Sequence, residues 1–134
     1  MPTPGLIAVI IEDDPLVLRA LEVYLETLGF LVISVADPRQ FLKEVPGMKC
    51  RIDLLITTSR PDNATPYEDL VGAVRRNFGD VPSIVLTGDT SAPARQRAQA
   101  AGCHYISKPV SPKALSDVIQ ALTDRHASDP SDNS

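Results

Sequence analysis

The chain has 134 residues, of which 43% are hydrophobic and only 4% aromatic, and its formal net charge is −4. This composition is typical of a single domain whose core of Val, Ile, Leu and Ala needs no metal or disulfide support. Because the chain is acidic and no run of Lys and Arg exceeds two residues, we do not expect this chain alone to bind nucleic acid through a basic patch.

Five short apolar segments predict five β-strands. Runs of apolar residues, rather than an alternation with polar ones, are typical of parallel strands covered on both faces. In chain order the segments are residues 6–11, 31–35, 52–58, 83–87 and 103–107. The fifth is the most polar of them.

Longer amphipathic segments predict five helices, at residues 15–28, 38–45, 66–77, 92–101 and 112–124. Four helix starts combine a capping side chain with a proline: Asp14-Pro15, Asp37-Pro38, Thr65-Pro66 and Ser111-Pro112. The capping oxygen accepts a backbone N–H, and proline suits the first helical position, which needs no N–H donor. The fourth helix differs, because it offers only Ala94, Ala98 and Ala101 to a core. We therefore expect it to pack shallowly.

The alternation of strands and helices predicts one doubly wound α/β domain with right-handed crossovers over residues 1–125. The expected order of this five-stranded parallel sheet is 2-1-3-4-5, which makes the third strand a neighbour of the first. Residues 126–134 contain no apolar residue beyond Ala127, so we expect a disordered polar tail. Functional sites on such sheets lie at the carboxyl ends of the strands.

The cysteines and the N-terminal segment indicate the cellular compartment. Cys50 and Cys103 have neither CxxC spacing nor a His partner, so a structural metal is not predicted and a reducing compartment fits. The N-terminus has a six-residue apolar run with no basic segment before it, which predicts neither a signal peptide nor a membrane span. We therefore expect a cytoplasmic location.

Three acids, Glu12, Asp13 and Asp14, follow the first strand. In one interpretation Asp14 caps the next helix and the other two acids are solvated. In the other interpretation the acids form a hard-cation site, because clustered carboxylates repel one another and Mg²⁺ relieves the repulsion while keeping water ligands for a phosphate. The acids alone do not decide between the two.

Two more polar side chains end strands. Thr87 precedes Gly88, so its hydroxyl can approach a phosphoryl oxygen, although the same pair is common in turns. Lys108 precedes Pro109 and is either a surface lysine or the partner of a carboxylate or a phosphate. Because the carboxyl ends of parallel strands meet at one edge of the sheet, we expect the acids, the hydroxyl and the lysine to lie near one another.

Together these segments resemble the receiver domains of two-component response regulators over about residues 5–124. The resemblance is carried by the stretches AVIIEDDPLVLRALEVYLETLGF, DLLITTSRP, SIVLTGD and YISKPVS. It implies a flavodoxin-like fold, a role in phosphorelay signal transduction rather than catalysis, and a protein partner such as a sensor histidine kinase.

The resemblance assigns roles to residues at the strand ends. In the family, two acids after the first strand bind Mg²⁺, and these map to Glu12 and Asp13. A hydroxyl after the fourth strand and a lysine before a proline contact the phosphoryl group, and these map to Thr87 and Lys108. The Lys-Pro bond of the family is usually cis, so the resemblance implies a cis bond at Lys108–Pro109.

The phosphoryl acceptor of the family, an Asp at the end of the third strand, is missing. Counting forward from Asp53 puts this position at Thr58, whereas counting back from Pro61 puts it at Thr57, because the loop is one residue short. A threonine hydroxyl is neutral at pH 7 and a poor nucleophile without a base. Asp53 itself lies roughly 16 Å from the strand tip at ~3.3 Å per residue. Asp62, in the loop just beyond the tip, is the better substitute.

Two hypotheses follow. The leading one is a pseudo-receiver, a protein-interaction module that works without aspartyl phosphorylation, in which a permanent Lys108–Asp13 contact makes the site structural. The alternative is a working phosphoryl acceptor that uses Asp62 together with Mg²⁺, bound weakly by Glu12 and Asp13. A third hypothesis, binding of a small ligand at the strand tips, has no direct support in the sequence.

The resemblance also implies a signalling face. In ordinary receivers the signal passes through the hydroxyl after strand four and an aromatic residue on strand five, here Thr87 and Tyr105. Helix four, which carries Arg95 and Arg97, would form the partner face with strand five and helix five, and a homodimer is expected there. We interpret the two arginines themselves as solvated charges.

Overall fold

The computed structural model of the chain describes residues 5–59 and 64–127. Within these ranges five parallel strands form one sheet: β1 (Ile7–Ile11), β2 (Leu31–Val35), β3 (Leu54–Thr58), β4 (Ser83–Thr87) and β5 (His104–Ser107). The helices are α1 (Pro15–Thr27), α2 (Pro38–Glu44), α3 (Tyr67–Phe78), α4 (Ala92–Ala100) and α5 (Pro112–Ala127), with a short 3₁₀ turn, Val45–Gly47, after α2. The strand order is β2-β1-β3-β4-β5, so the predicted fold class and topology are confirmed.

The pairing register brings the carboxyl ends of the strands to a common edge. Ile11, the last residue of β1, pairs with Val35 of β2 on one side and with Thr57 of β3 on the other. Thr58 pairs with Leu86, and the last residues of β4 and β5 are likewise partners. The carboxyl ends of all five strands therefore lie along this edge.

A hydrophobic layer covers each face of the sheet, and β3 is buried over its entire length. One layer lies beneath α1 and α5 and includes Ile10, Leu25, Leu54, Ile56, Leu115 and Ile119. The other lies beneath α2, α3 and α4 and includes Val9, Phe41, Leu55, Leu70, Val74 and Val85. Each fully buried aliphatic side chain contributes roughly 1.5–3 kcal/mol, so these layers, rather than the charges, hold the sheet together.

Three helices begin with the side-chain caps that the sequence predicts. The amides of Leu16, Arg39 and Ala114 donate to Asp14, Asp37 and Ser111, at 2.9, 3.1 and 3.3 Å. The cap predicted at Thr65 is wrong, because α3 begins at Tyr67, which makes Pro66 the N-cap residue, and Pro66 has no side-chain cap hydrogen bond. Glu68 and Asp69 in the first turn stabilise the positive end of the helix dipole instead.

The last two helices differ in length and packing. α4 packs shallowly, as predicted, because Ala98 is fully buried while Ala94 and Ala101 are only partly buried. α5 ends at Ala127 rather than at residue 124, so it enters the segment expected to form the tail. Residues 128–134 and Asp62 lie outside the described residues. None of the helices in the described ranges is long and apolar enough to cross a membrane.

Both cysteines are free thiols in different surroundings. Cys103 is buried beside the end of α4, and its Sγ donates to the Ala101 carbonyl at 3.7 Å. Burial raises the pKa of the Cys103 thiol to about 11. Cys50, in the connection from α2 to β3, is partly exposed. The two thiols therefore differ in accessibility to reagents.

Candidate functional site

The three acids after β1 take separate positions and do not act as one cluster. Glu12 is 2% exposed, and its Oε2 accepts a hydrogen bond from the Asp14 amide at 3.2 Å. Asp14 is exposed and uses its Oδ1 to cap α1. Asp13 is exposed, and its side chain makes no hydrogen bond or ion pair with the described residues. Glu12 alone therefore turns into the protein.

Lys108 reaches across this edge to two other strands. Its Nζ donates to Glu12 Oε1 at 3.0 Å and to Thr58 Oγ1 at 3.3 Å. The lysine follows β5, where its amide donates to the Thr87 carbonyl at 2.7 Å and its bond to Pro109 is cis, as expected. The lysine side chain is 31% exposed, so the group lies at the boundary of the protein and solvent. We call the side chains of Glu12, Thr58 and Lys108 the strand-tip pocket.

The contact predicted between Lys108 and Asp13 is wrong, because the lysine binds Glu12 instead. Side chains alternate between the two faces of a strand. Glu12 continues β1 by one residue, since its amide donates to the Val35 carbonyl at 3.2 Å, and its side chain shares a face with Ile10. Asp13, the next residue, is exposed to solvent. The lysine therefore pairs with the inward-facing acid.

The same alternation distinguishes the two threonines at the end of β3. Thr57 is fully buried, and its hydroxyl donates to the Thr58 carbonyl at 3.0 Å. The hydroxyl of Thr58 is the one that meets the lysine. Counting along the sequence left both positions open, and the contact with Lys108 favours Thr58.

Among the described residues, none is placed to activate the Thr58 hydroxyl as a nucleophile. Lys108 is bound to a carboxylate, and an ammonium group has no lone pair with which to accept a proton. His104 is exposed and begins β5, whereas the pocket lies beyond the other end of that strand. Attack by a threonine needs a base within hydrogen-bond reach. The pocket as arranged does not supply one.

The arrangement of acids argues against the Mg²⁺ site that the resemblance implies. In residues 5–59 and 64–127, no group of three His, Cys, Asp or Glu side chains lies close enough together to hold a metal ion. Both oxygens of Glu12 already accept hydrogen bonds, and Asp14 caps a helix. Thr58 supplies a neutral oxygen where Mg²⁺ would be stabilised by a carboxylate. With a threonine at position 58, this donor set does not fit the ion.

Thr87 and Tyr105 are held by the loop after β4 rather than by the strand-tip pocket. Thr87 Oγ1 accepts from the Asp89 amide at 3.0 Å, and the Tyr105 hydroxyl donates to the Asp89 carbonyl. The Thr87 side chain lies on the face covered by α3 and α4, where it lines a cavity with Tyr105. The Thr87 backbone thus meets Lys108, whereas its hydroxyl is engaged with the loop.

A second charged group, which the sequence interpretation missed, lies between α3 and α4. Arg97 was expected to be a solvated charge, but its Nη2 donates to Glu68 Oε1 at 2.6 Å and its Nε donates to the other carboxylate oxygen. Its guanidinium lies 4.4 Å from the centroid of the Tyr67 ring. The hydrogen bonds from Arg97 lower the pKa of Glu68, and burial raises the pKa of Tyr67. The partners are 29 residues apart, so no local sequence pattern indicates them.

Two concave surfaces flank the sheet edge. A cavity of about 600 Å³ lies between the loop after β4 and the Arg97 side chain. An apolar groove of about 770 Å³ lies between α1 and the start of α5, where Leu16 is 83% exposed. The exposed apolar side chains of this region therefore lie on α1, away from the α4 face on which a homodimer is expected.

The amino-acid sequence of the chain is similar to those of known proteins. Residues 8–120 match the family model described as "Response regulator receiver domain". The chain is 32% identical over 123 residues to the "Probable transcriptional regulator ycf27" of Porphyridium aerugineum, covering 87% of this chain and 47% of that protein. It is 25% identical over 111 residues to the "Putative two-component response regulator ARR21" of Arabidopsis thaliana, covering 83% of this chain and 18% of that protein. The chain thus spans less than half the length of these relatives.

Solved structures share its fold. A response regulator receiver domain protein from Clostridium thermocellum superposes with a TM-score of 0.79 at 22% identity, over 91% of this chain and 97% of that one. At this level of identity the likeness bears on the fold alone. It agrees with the flavodoxin-like arrangement that the strand order predicts.

Proposed function

Because the chain belongs to the response regulator receiver family, we propose that it is a receiver module of two-component signalling that binds a protein partner without being switched by aspartyl phosphorylation. The observation that carries the proposal is the contact of Lys108 with Glu12 and with the hydroxyl of Thr58. A neutral hydroxyl thus occupies the place where a phosphoryl acceptor needs a carboxylate.

The ion pair gives Lys108 a permanent partner. A phosphoryl group would have to compete with Glu12 for the ammonium, and removing one member of a buried pair leaves an uncompensated charge. Phosphoryl transfer to Thr58 would also require loss of the hydroxyl proton, for which the described part of the pocket offers no base. Both points support a pocket that is structural rather than reactive.

The proposed partner is another signalling protein, such as a sensor histidine kinase. The proposed binding surface is the face formed by α4, β5 and α5, which would also be the contact in a homodimer. The role of the chain in this proposal is recognition, not catalysis.

Incubation with Mg²⁺ and acetyl phosphate, followed by intact-mass spectrometry, tests the proposal. We expect no adduct of about 80 Da, the mass added by a phosphoryl group. An adduct that disappears in Asp62→Asn would identify a displaced acceptor and overturn the proposal. An adduct that disappears in Thr58→Val would overturn it through a phosphothreonine.

Thr58→Asp is the matched positive control for this experiment. The substitution restores a carboxylate at the position that contacts Lys108 and adds an anionic oxygen for a metal ion. We expect an Mg²⁺-dependent adduct in this variant and none in the unsubstituted chain. That pair of results would locate the defect in the acceptor position alone.

A further inference from the structure

α4 is the helix that the core supports least. Its nine residues bury only Ala98 fully, whereas α3 buries five side chains. A helix of this length is unstable alone in water. Burial of one methyl group contributes little to stability. Contacts other than apolar packing must therefore hold α4 in place.

Arg97 attaches α4 to the first turn of α3. Its guanidinium forms a two-bond contact with Glu68 and lies over the ring of Tyr67. Tyr67 is fully buried in the core, so the surface beneath the guanidinium is rigid. A planar guanidinium suits this combination of a forked carboxylate contact and ring stacking, whereas an ammonium group does not.

Arg75 makes the reciprocal attachment, from α3 to the end of α4. Its Nη1 donates to the Ala101 carbonyl and its Nη2 to the Gly102 carbonyl, both at 2.8 Å. Both carbonyls directly follow α4, beside the negative end of the helix dipole, where a guanidinium is favourable. The Nε of Arg75 is buried and has no hydrogen-bond partner among the described residues, which is a desolvation cost that the two carbonyl contacts must outweigh.

Gly102 makes room for Arg75. Its φ is +70°, in the left-handed region that favours glycine. A Cβ at this position would lie 2.7 Å from Arg75 Nη1, which is closer than two such atoms can approach. Glycine therefore serves both the turn after α4 and the contact with Arg75.

We propose that these reciprocal arginine contacts form a latch that fixes α4 against α3 and thereby sets the shape of the α4–β5–α5 face. The latch consists of Arg97 with Glu68 and Tyr67, and of Arg75 with the two carbonyls after α4. It shares no residue with the strand-tip pocket. Its importance for partner binding rests on the proposed function, whereas its mechanical role rests on the contacts alone.

Amide hydrogen exchange over residues 92–101 of the intact chain tests the latch. Glu68→Gln and Arg75→Gln each remove one attachment, so we expect α4 amides to exchange about tenfold faster while β1 and β3 amides keep their rates. Asp117→Asn is the matched control, because it breaks the exposed Lys113–Asp117 pair on α5 and touches neither α3 nor α4. It is expected to leave α4 exchange unchanged.

Two further variants separate the latch from general destabilisation. Arg97→Lys keeps the charge but loses the forked contact, so it should give an intermediate exchange rate. Gly102→Ala should give exchange at least as fast as Arg75→Gln, because the added Cβ displaces the guanidinium and also strains the turn at a φ of +70°. Wild-type exchange of α4 in both Glu68→Gln and Arg75→Gln, with the core intact, would overturn the latch.

These measurements use no phosphodonor, so they stand apart from the test of the proposed function. A phosphoryl adduct together with accelerated α4 exchange would overturn the proposed function and support the latch. Absence of an adduct together with unchanged α4 exchange would support the proposed function and overturn the latch.

Discussion

Two almost completely buried carboxylates, Glu12 and Asp53, lie at opposite edges of the same sheet and are bound in similar ways. Glu12 accepts from Lys108 at 3.0 Å and from a backbone amide at 3.2 Å. Asp53 accepts from Arg51 Nε at 2.7 Å and from the first amide of β1 at 2.8 Å. Each therefore has one cationic partner and one backbone donor.

The two clusters differ in where their cations come from. Arg51 is two residues from Asp53, whereas Lys108 is 96 residues from Glu12 and is brought to it by the sheet topology. The two carboxylates are thus alike in burial and in the kinds of partner that they have, although they lie at opposite edges of the sheet. The contacts of the strand-tip pocket are therefore of the same kind as those around Asp53.

The largest expected effect on stability is at the amino edge of the sheet, where the strands begin and where Asp53 lies. Asp53→Ala leaves the Ile7 amide without its acceptor and Arg51 without its partner, so we expect a loss of about 2–4 kcal/mol in the free energy of unfolding. Urea denaturation measures it. Arg51→Gln is the control and should cost less than about 1 kcal/mol, because that side chain is 69% exposed. Equal losses in the two variants would contradict the structural role of the carboxylate.

At the carboxyl edge the expected loss is smaller. Lys108→Met leaves Glu12 buried without its cation, but solvent reaches the lysine side, so we expect about 1–3 kcal/mol. Adding Glu12→Gln removes the unpaired charge and should recover much of the loss in urea denaturation. Strictly additive losses in this double-mutant cycle would show that the two side chains do not interact.

Thr58→Val sharpens the comparison further. It keeps the shape of the side chain and removes only the 3.3 Å contact with Lys108, so we expect a loss of no more than about 1 kcal/mol. Thr57→Val is the parallel variant, since its hydroxyl bonds to a carbonyl within the sheet. A loss for Thr58→Val as large as that for Lys108→Met would make the hydroxyl an essential part of the pocket.

The smallest expected change in global stability concerns the exposed ion pair between Arg97 of α4 and Glu68 of α3. Hydrogen bonds from Arg97 lower the pKa of Glu68 from its ordinary value near 4.5. A lowered folded-state pKa gives stability that is present above 4.5 and is lost as the pH falls through the folded value. Thermal unfolding of the wild type minus that of Glu68→Gln should therefore shrink below pH 4.5. Tyr67, the other titratable group facing the pair, has a raised pKa and stays neutral in this range.

The fold followed from the sequence wherever a local rule decides the outcome. Continuous apolar runs located the strands, and the caps at Asp14, Asp37 and Ser111 located three helix starts. The rule failed at Thr65, because burial of Tyr67 against the core sets the start of α3 one residue later. Tertiary packing there outweighs the local capping preference.

The site was predictable only in part. Strand topology placed Glu12 and Lys108 at one edge, but the choice of Glu12 over Asp13 depends on which way each side chain points. The choice of Thr58 over Thr57 has the same cause. The contact of Arg97 with α3 depends on the angle at which two helices meet, which no spacing along the chain reveals.

The burial of Cys103 makes the reactivity of its thiol a measure of how well α4 is packed. The thiolate is the reactive form of cysteine. Burial raises the pKa of the Cys103 thiol to about 11, so almost no thiolate forms at neutral pH while α4 is packed against the protein. Cys50, partly exposed near the amino edge, reacts as an internal standard. The ratio of the alkylation rate of Cys103 to that of Cys50 would therefore measure how often the end of α4 opens locally. This measurement needs no substitution in the chain.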